Sequence, residues 1–310
     1  MVPADSMAIV AAIAGGDRRA LARALTIVEG GGAAALPVLA GAFAVPRPAY
    51  RVGLTGSPGV GKSTLGDGLI RVIRSAGARV AVLAVDPTSP FSGGAVLGDR
   101  VRMQDHILDD GVFIRSMATR GHLGGLSAAA PRALMVLEAG GFPWLLVETV
   151  GVGQDEVEVA AASDTVVVVL NPGWGDDIQA AKAGILEIGD VFAINKSDRP
   201  GAAQTAAELR AMLGMAPASE WSPPIVETTA ATGAGLSELW SAIVAHRRHL
   251  GDAGLEVRRR RRRHDDLQAA LAEEFRRRAV ARADADPAVV AAVEVGTLDP
   301  WSAAARLAGS

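Results

Sequence analysis

The chain has 310 residues, of which 49% are hydrophobic and 4% are aromatic, so a large core of Ala, Val, Leu and Ile is expected. A formal net charge of −3 gives no overall attraction to nucleic acid or to an anionic membrane. The chain contains no cysteine, which excludes disulfides, thiolate zinc sites and cysteine catalysis and is consistent with a reducing compartment. No apolar run reaches the ~20 residues of a membrane-spanning helix, so a cytoplasmic location with no membrane partner is expected.

The first 45 residues have a helical pattern. Leu21, Leu25 and Val28 recur at helical spacing before a run of three glycines. A stiff Pro-Arg-Pro joint over residues 46–48 follows. We therefore predict an N-terminal helical extension over residues 1–45.

From Tyr50 onward, short β-branched runs alternate with segments that are long enough for a crossover helix. This alternation is typical of a parallel sheet covered by helices on both faces, and in such folds ligands bind at the carboxyl ends of the strands. We predict an α/β domain over residues 46–248 with a mostly parallel sheet. Its predicted strands are residues 51–55, 79–85, 112–117, 144–150, 165–170, 191–195 and 225–229.

The strand pattern stops after His246. An arginine-rich helical pattern covers residues 256–282, and two shorter helices, each introduced by Asp-Pro, are expected at residues 287–295 and 300–308. We predict a C-terminal helical arm over residues 249–310.

The strongest motif follows the first predicted strand. The string GSPGVGKST matches the P-loop pattern and lies between a predicted strand and a predicted helix. Its glycines let backbone N–H groups turn toward phosphates, and the helix that follows directs the positive end of its dipole at them. Lys62 is predicted to contact the β- and γ-phosphates, and the Ser63 hydroxyl is predicted to bind Mg²⁺. The predicted nucleotide-binding residues of this loop are Gly56, Ser57, Pro58, Gly59, Val60, Gly61, Lys62, Ser63 and Thr64.

A second motif predicts that the nucleotide carries guanine. The chain has only three lysines, and one of them, Lys196, lies in the string NKSD at the end of the sixth predicted strand. Asp198 can accept hydrogen bonds from N1–H and N2–H₂ of guanine, which adenine does not present. Lys196 can lie along the base, and Asn195 can connect this loop to the P-loop. After the last predicted strand, a backbone contact to the base is expected from Thr229, Ala230 and Ala231.

The acidic positions are less usual for a GTPase. The string ETVG, from Glu148 to Gly151, stands where GTPases carry D-x-x-G. Glu148 can still offer oxygen ligands to Mg²⁺, and the Gly151 N–H can contact the γ-phosphate. Val152 occupies the place of a water-orienting glutamine in some signalling GTPases, so slow intrinsic hydrolysis is expected. Asp86, which ends the second strand, and Asp99 are further candidates for binding Mg²⁺ or orienting the attacking water.

These strings together resemble one known family. GSPGVGKST, VLAVDPTSP, GGAVLGDRVRM, FIRSMATRGHLGG, VETVGVGQDEVEVA, GWGDDIQAAKAGILEIGD and NKSD are similar to the methylmalonyl-CoA mutase-associated GTPases of the MeaB/ArgK type. That family belongs to the SIMIBI class of P-loop proteins. The resemblance covers about residues 8–250 in register.

The resemblance implies a function. It implies a G-protein chaperone that gates cofactor loading of an adenosylcobalamin-dependent acyl-CoA mutase and protects or reactivates that mutase, with hydrolysis of GTP to GDP as the switch. By matching motif, it assigns phosphate contacts, Mg²⁺ binding and hydrolysis to Lys62, Ser63, Asp86, Asp99 and Glu148. The segment Asn171–Lys182 resembles a loop that signals the nucleotide state to the mutase. The C-terminal helices resemble a dimerisation arm, which implies a homodimer.

Other interpretations remain open at this point. The arginine run Arg258–Arg263 is flanked by acidic residues and has no interleaved aromatic residue, so we interpret it as a solvated or dimer-facing helix and expect no nucleic-acid partner. Docking to the mutase and nucleic-acid binding are the alternatives for this run. The main alternative function is a GTP-dependent metallochaperone that delivers a metal ion to a client enzyme. A kinase acting on amino-acid transport proteins is a third hypothesis.

Overall fold

The computed structural model describes residues 4–45, 48–86, 104–106, 108–118, 129–149, 155–173, 184, 186–215 and 220–309. The sequence assignments at Asp99, Gly151, Val152 and Lys182 lie outside the described residues, and so does the side chain of Asp86.

The described part of the chain contains one sheet of seven parallel strands. The strands are β1 (Tyr50–Thr55), β2 (Val80–Asp86), β3 (Val112–Ala118), β4 (Trp144–Thr149), β5 (Thr165–Leu170), β6 (Val191–Asn195) and β7 (Ile225–Thr228). Their order across the sheet is β3-β2-β4-β1-β5-β6-β7. All seven strands were predicted to within one residue at either end, because each is a short, largely apolar run followed by turn residues. The prediction of a parallel α/β fold is confirmed.

Helices cover both faces of this sheet. They are α1 (Ala4–Ala14), α2 (Arg18–Gly30), α3 (Gly32–Phe43), α4 (Lys62–Ser75), α5 (Ala130–Ala139), α6 (Asp155–Ala162), α7 (Ala202–Leu213) and α8 (Leu236–Ala285). Side chains of β2 alternate between the two faces: Leu83 packs in a core with α1–α3 and α5, whereas Val82 packs in a core with α4 and the first part of α8.

The N-terminal helices are joined by very short connections. Asp17 caps α2, since its carboxylate accepts hydrogen bonds from the N–H groups of Arg19 and Ala20 at 2.8 and 3.0 Å. The glycine run does not end the helical region. Gly31 and Gly32 have positive φ values of 67° and 69°, and α3 begins at Gly32 itself. The three glycines therefore turn the chain between two helices.

The chain divides into two compact units, Met1–Glu256 and Val257–Ser310. The first unit contains the sheet and α1–α7. Helix α8 has a break at Gly251, where φ is 53°, and the second unit begins within it. That unit also contains α9 (Pro287–Glu294) and α10 (Pro300–Gly309), and Arg282 donates hydrogen bonds to the carbonyl oxygens of Leu307 and Ala308 there. The division into segments 1–45, 46–248 and 249–310 stays a prediction.

Candidate functional site

The candidate site is built around the loop that follows the central strand β1. Strand β1 lies between β4 and β5, and the loop after it leads directly into α4, which begins at Lys62 with Gly61 as its N-cap. Gly56 and Gly61 have φ values of 136° and 98°, conformations that L-residues with a side chain rarely adopt. A Cβ atom at Gly56 would lie 2.2 Å from the carbonyl oxygen of Val169. The loop thus needs glycine both for its turn and for its close packing on β5.

Lys62 is buried within this loop. Its side-chain Nζ donates hydrogen bonds to the carbonyl oxygens of Gly56 and Ser57 at 2.6 and 3.2 Å. Only 6% of the residue is exposed. The ammonium group is therefore held against the backbone of the loop. This loop leads into the N-terminus of α4, where the helix dipole favours a bound anion.

Ser63 and Glu148 meet beside the loop. The Ser63 hydroxyl donates a 2.6 Å hydrogen bond to Oε1 of Glu148, and both residues are buried. Strand pairing explains the contact, because Glu148 on β4 is in register with Leu54 on β1, two residues before the loop. A hydroxyl and a carboxylate are the hard oxygen donors that Mg²⁺ prefers, so the residues present here fit that ion.

Asn195 connects three parts of the site. Its side-chain Nδ2 donates to the carbonyl oxygen of Val60 in the P-loop at 2.8 Å. Its Oδ1 accepts hydrogen bonds from the Ala230 N–H at 3.0 Å and from the Thr228 hydroxyl at 3.4 Å. The residue is 2% exposed. A single buried amide therefore joins the P-loop, the NKSD loop and the loop after β7.

The NKSD loop presents an exposed carboxylate beside these contacts. Lys196 has a positive φ of 57° and donates through Nζ to the carbonyl oxygen of Gly59 at 2.6 Å. Asp198 is exposed, and Thr229 Oγ1 lies 3.5 Å from its Oδ1. Ser197 was not singled out from the sequence, although it lies inside the motif; its hydroxyl is 3.1 Å from that of Thr229. The Thr229 hydroxyl thus lies between the Ser197 hydroxyl and the carboxylate that was predicted to read guanine.

Strand β2 brings the backbone of Asp86 to the same side of the site as Glu148. The backbone of Asp86 ends β2, which pairs with β4 and so lies near Glu148 in the sheet. Within the described residues, no cluster of three or more His, Asp or Glu side chains is arranged to hold a metal ion. Over the same residues, no helix is long and apolar enough to cross a membrane.

A parallel sheet with a P-loop after its central strand and an NKSD loop tied to that P-loop defines a GTPase of the P-loop class. Comparisons with known proteins identify the family. Residues 21–284 match the family model of the methylmalonyl Co-A mutase-associated GTPase MeaB. The chain therefore belongs to the MeaB family, and it is a GTPase of the MeaB/ArgK type, as the sequence motifs predicted.

The similarity to individual relatives supports this family assignment. A relative from Pyrococcus horikoshii is 47% identical over 294 residues, which cover 93% of both chains. GTPase ArgK from Escherichia coli is 35% identical and covers 92% of this chain and 90% of its own. The mouse methylmalonic aciduria type A homolog is 37% identical over 69% of this chain and 53% of its own. The crystal structure of LAO/AO transport system kinase superposes with a TM-score of 0.73 at 26% identity, covering 100% of this chain and 98% of that one.

Proposed function

We propose that this GTPase is a chaperone of an adenosylcobalamin-dependent acyl-CoA mutase of the methylmalonyl-CoA mutase type. It would gate cofactor loading and protect or reactivate the mutase, using GTP hydrolysis as the switch. The description of the matched family as mutase-associated supports the client, and so does the name of the mouse relative, which refers to methylmalonic aciduria. The observation that supports nucleotide binding most directly is the buried Asn195 amide. It links the NKSD loop and the loop after β7, which are assigned to guanine, to the P-loop, which is assigned to the phosphates.

Guanine selection is assigned to Asp198. Its exposed carboxylate would accept hydrogen bonds from the N1–H and N2–H₂ groups of guanine. Adenine offers no donor pair at that edge, so an adenine nucleotide would leave the carboxylate unmatched. Lys196, held to the P-loop through the Gly59 carbonyl oxygen, would place its aliphatic stem along the base.

Phosphate binding and hydrolysis are assigned to the other side of the site. Backbone N–H groups of the P-loop and the Lys62 ammonium would surround the β- and γ-phosphates. A water molecule attacks the γ-phosphorus, the bond to the β,γ-bridging oxygen breaks, and GDP and inorganic phosphate are released. Ser63 and Glu148 would hold Mg²⁺, together with Asp86 and Asp99 as assigned from the sequence. When bound, the ion would neutralise charge on the phosphate oxygens.

A homodimer is part of the proposal. Leu267, Leu271 and Phe275 recur every four residues on α8 and are 55%, 41% and 65% exposed. Large apolar side chains repeated on one helical face are typical of an interface. Sedimentation of the intact chain tests this, and a monomer at micromolar concentration would contradict it. Leu271→Lys should shift a dimer toward monomer, whereas Arg276→Lys, which keeps the charge of a residue on the same helix, should leave the dimer intact.

The client is tested by steady-state GTP hydrolysis. The rate is measured with and without purified methylmalonyl-CoA, isobutyryl-CoA and ethylmalonyl-CoA mutases, and ATP serves as the control nucleotide. We expect one mutase to change the GTPase rate and ATP to be a poor substrate. No response to any of the three mutases would reject the client. A stoichiometric nickel or cobalt site in equilibrium dialysis would favour the metallochaperone instead.

A further inference from the structure

Two hydroxyl groups form a short hydrogen-bonded row that ends at the carboxylate assigned to guanine. The Ser197 hydroxyl lies 3.1 Å from the Thr229 hydroxyl, and Thr229 Oγ1 in turn lies 3.5 Å from Oδ1 of Asp198. Ser197 and Asp198 belong to the NKSD loop, whereas Thr229 follows β7. The carboxylate is therefore contacted by a hydroxyl from another loop, and Ser197 contacts that same hydroxyl.

The chemistry of the three groups gives this row a direction. An ionised carboxylate only accepts hydrogen bonds, whereas a hydroxyl has a single hydrogen atom to donate. Thr229 is the donor in its contact with Asp198, so its oxygen can only accept from Ser197. Ser197 is thus the donor, and its hydrogen bond leaves the hydrogen atom of Thr229 directed at the carboxylate.

Backbone hydrogen bonds hold both hydroxyl-bearing residues in place. The Thr229 N–H donates to the carbonyl oxygen of Ala234 at 2.9 Å, and the Thr229 carbonyl oxygen accepts from the Thr232 N–H at 3.0 Å. The Ser197 N–H donates to the carbonyl oxygen of Thr228 at 3.0 Å. Both Ser197 and Thr229 are half-buried. The two hydroxyls are therefore attached to backbone positions that are fixed by other bonds.

The Asp198 carboxylate depends on this row more than the hydroxyls do. Asp198 is exposed, and among the residues that the structure describes, Thr229 Oγ1 is the one hydrogen-bond donor to its carboxylate. A hydrogen bond weakens steeply when its donor is misaligned, so the orientation of the Thr229 hydroxyl decides how firmly the carboxylate is held. A side chain that is ordered before binding avoids the cost of ordering it during binding.

We propose that Ser197 is a positioning residue for guanine recognition. It orients the Thr229 hydroxyl, and that hydroxyl holds the Asp198 carboxylate ready to accept from the N1–H and N2–H₂ groups of guanine. The inference rests on the proposed assignment of guanine to Asp198. Its effect falls on base selection and not on phosphate binding, because Lys62 is held by other contacts, within the P-loop.

The test measures the Kd for GDP and for ADP in the full chain, together with kcat for GTP hydrolysis. Ser197→Ala should raise the Kd for GDP about 3–10-fold, the effect of one intramolecular hydrogen bond, and leave the Kd for ADP within about twofold of wild type. The kcat at saturating GTP should stay close to wild type. Ser197→Thr keeps a hydroxyl and should retain the wild-type affinity for GDP.

Thr232→Ala is the matched control for Ser197→Ala. It also removes a hydroxyl that bonds to Thr229, but this hydroxyl donates to the carbonyl oxygen of Thr229 at 3.1 Å and not to its side chain. Both Kd values should therefore be unchanged in Thr232→Ala. An equal loss of GDP affinity in the two variants would overturn the inference, and so would a parallel loss of ADP affinity in Ser197→Ala.

A double-variant cycle tests whether Ser197 acts through Thr229. Thr229→Val removes the second hydroxyl and keeps the size of the side chain. Ser197→Ala combined with Thr229→Val should raise the Kd for GDP no more than Thr229→Val alone. Multiplying effects, or a wild-type Kd for GDP in Ser197→Ala, would contradict the inference. An unchanged GDP-to-ADP ratio in Asp198→Asn would instead reject the assignment of guanine to Asp198, on which the inference rests.

Discussion

The side-chain amide of Asn195 donates a 2.8 Å hydrogen bond to the main-chain carbonyl oxygen of Val60. The two residues lie 135 positions apart in the sequence, one at the end of β6 and one in the P-loop. Through this bond, the loop that is assigned to guanine and the loop that is assigned to the phosphates cannot move independently without leaving buried polar groups unmatched. We therefore expect base selection and phosphate binding to depend on one another in this protein.

Asn195→Ala should weaken both stability and nucleotide binding. The change leaves the Val60 carbonyl oxygen and the Ala230 N–H without their partner, and a buried unmatched group costs about 1–3 kcal/mol. Thermal unfolding and GDP titration measure the two effects. Gln204→Ala removes an exposed side-chain hydrogen bond on α7 and should change neither. Unaltered GDP affinity in Asn195→Ala would contradict the coupling.

Asp198→Asn should reduce the preference for GTP over ATP. Replacing the acceptor by an amide mismatches the donors of guanine, and we expect a loss of about 1–3 kcal/mol, measured as the ratio of the two Kd values. Glu227→Gln is the matched control, since it also removes one exposed negative charge from a neighbouring strand end. An unchanged ratio in Asp198→Asn would show that another residue reads the base.

Alanine substitutions at two glycines of the P-loop should differ sharply in their effect on nucleotide affinity. A Cβ at Gly61 would lie 2.4 Å from Nδ2 of Asn195, whereas a Cβ at Gly59 meets nothing within 4 Å. Both glycines have positive φ, 98° and 76°, so both alanine variants bear strain of about 1–2 kcal/mol. Gly61→Ala must also displace Asn195 and should lose nucleotide binding. Equal GTP affinities of the two variants would argue against the contact.

Glu148→Gln should raise the Mg²⁺ concentration that is needed for half-maximal GTPase activity. The amide keeps an acceptor for the Ser63 hydroxyl but removes the negative charge that attracts the ion. The Mg²⁺ titration should shift by roughly tenfold or more, while GDP binding without Mg²⁺ stays close to wild type. Glu138→Gln, which neutralises a carboxylate paired with Arg51, serves as the control. A coincident titration of Glu148→Gln and wild type would reject Glu148 as a ligand.

Asp109 should contribute stability that disappears in acid. The hydrogen bonds from the Arg74 guanidinium and then from the Gly111 N–H lower the pKa of Asp109 below its ordinary value. A carboxyl whose pKa is lower in the folded protein stabilises it above the unfolded pKa of about 3.9, and the contribution is lost as pH falls through the folded pKa. Asp109→Asn should therefore lower the melting temperature at pH 7.

The difference from wild type should shrink as the pH falls below about 4. Since the Asp109 side chain is about a third exposed, the effect should be modest. Asp110→Asn, which neutralises the adjacent exposed residue, is the control. A melting-temperature difference that persists unchanged at low pH would contradict the assignment to Asp109.

Local patterns were enough to predict the strands and the loop motifs. The run Thr165–Leu170, for example, is β-branched throughout except for its last residue and forms a buried strand in the sheet, as such a run favours. The third N-terminal helix was harder to place, because three glycines end a helix in most sequences. Here Gly31 and Gly32 only redirect the chain, and α3 is stabilised by burying Ala35, Val38 and Ala42 in the core that it shares with α2 and α5.

By itself, the amino-acid sequence determined the P-loop, the NKSD string, the parallel α/β class and the family, since these depend on residue types at fixed spacing within short segments. The tertiary structure alone decided which strands are neighbours and which distant side chains meet. The contacts of Asn195 with Val60 and of His106 with Asp67 are of this kind. They arise because helix and sheet packing bring together residues far apart in the chain, and the pairing of buried polar groups then selects their partners.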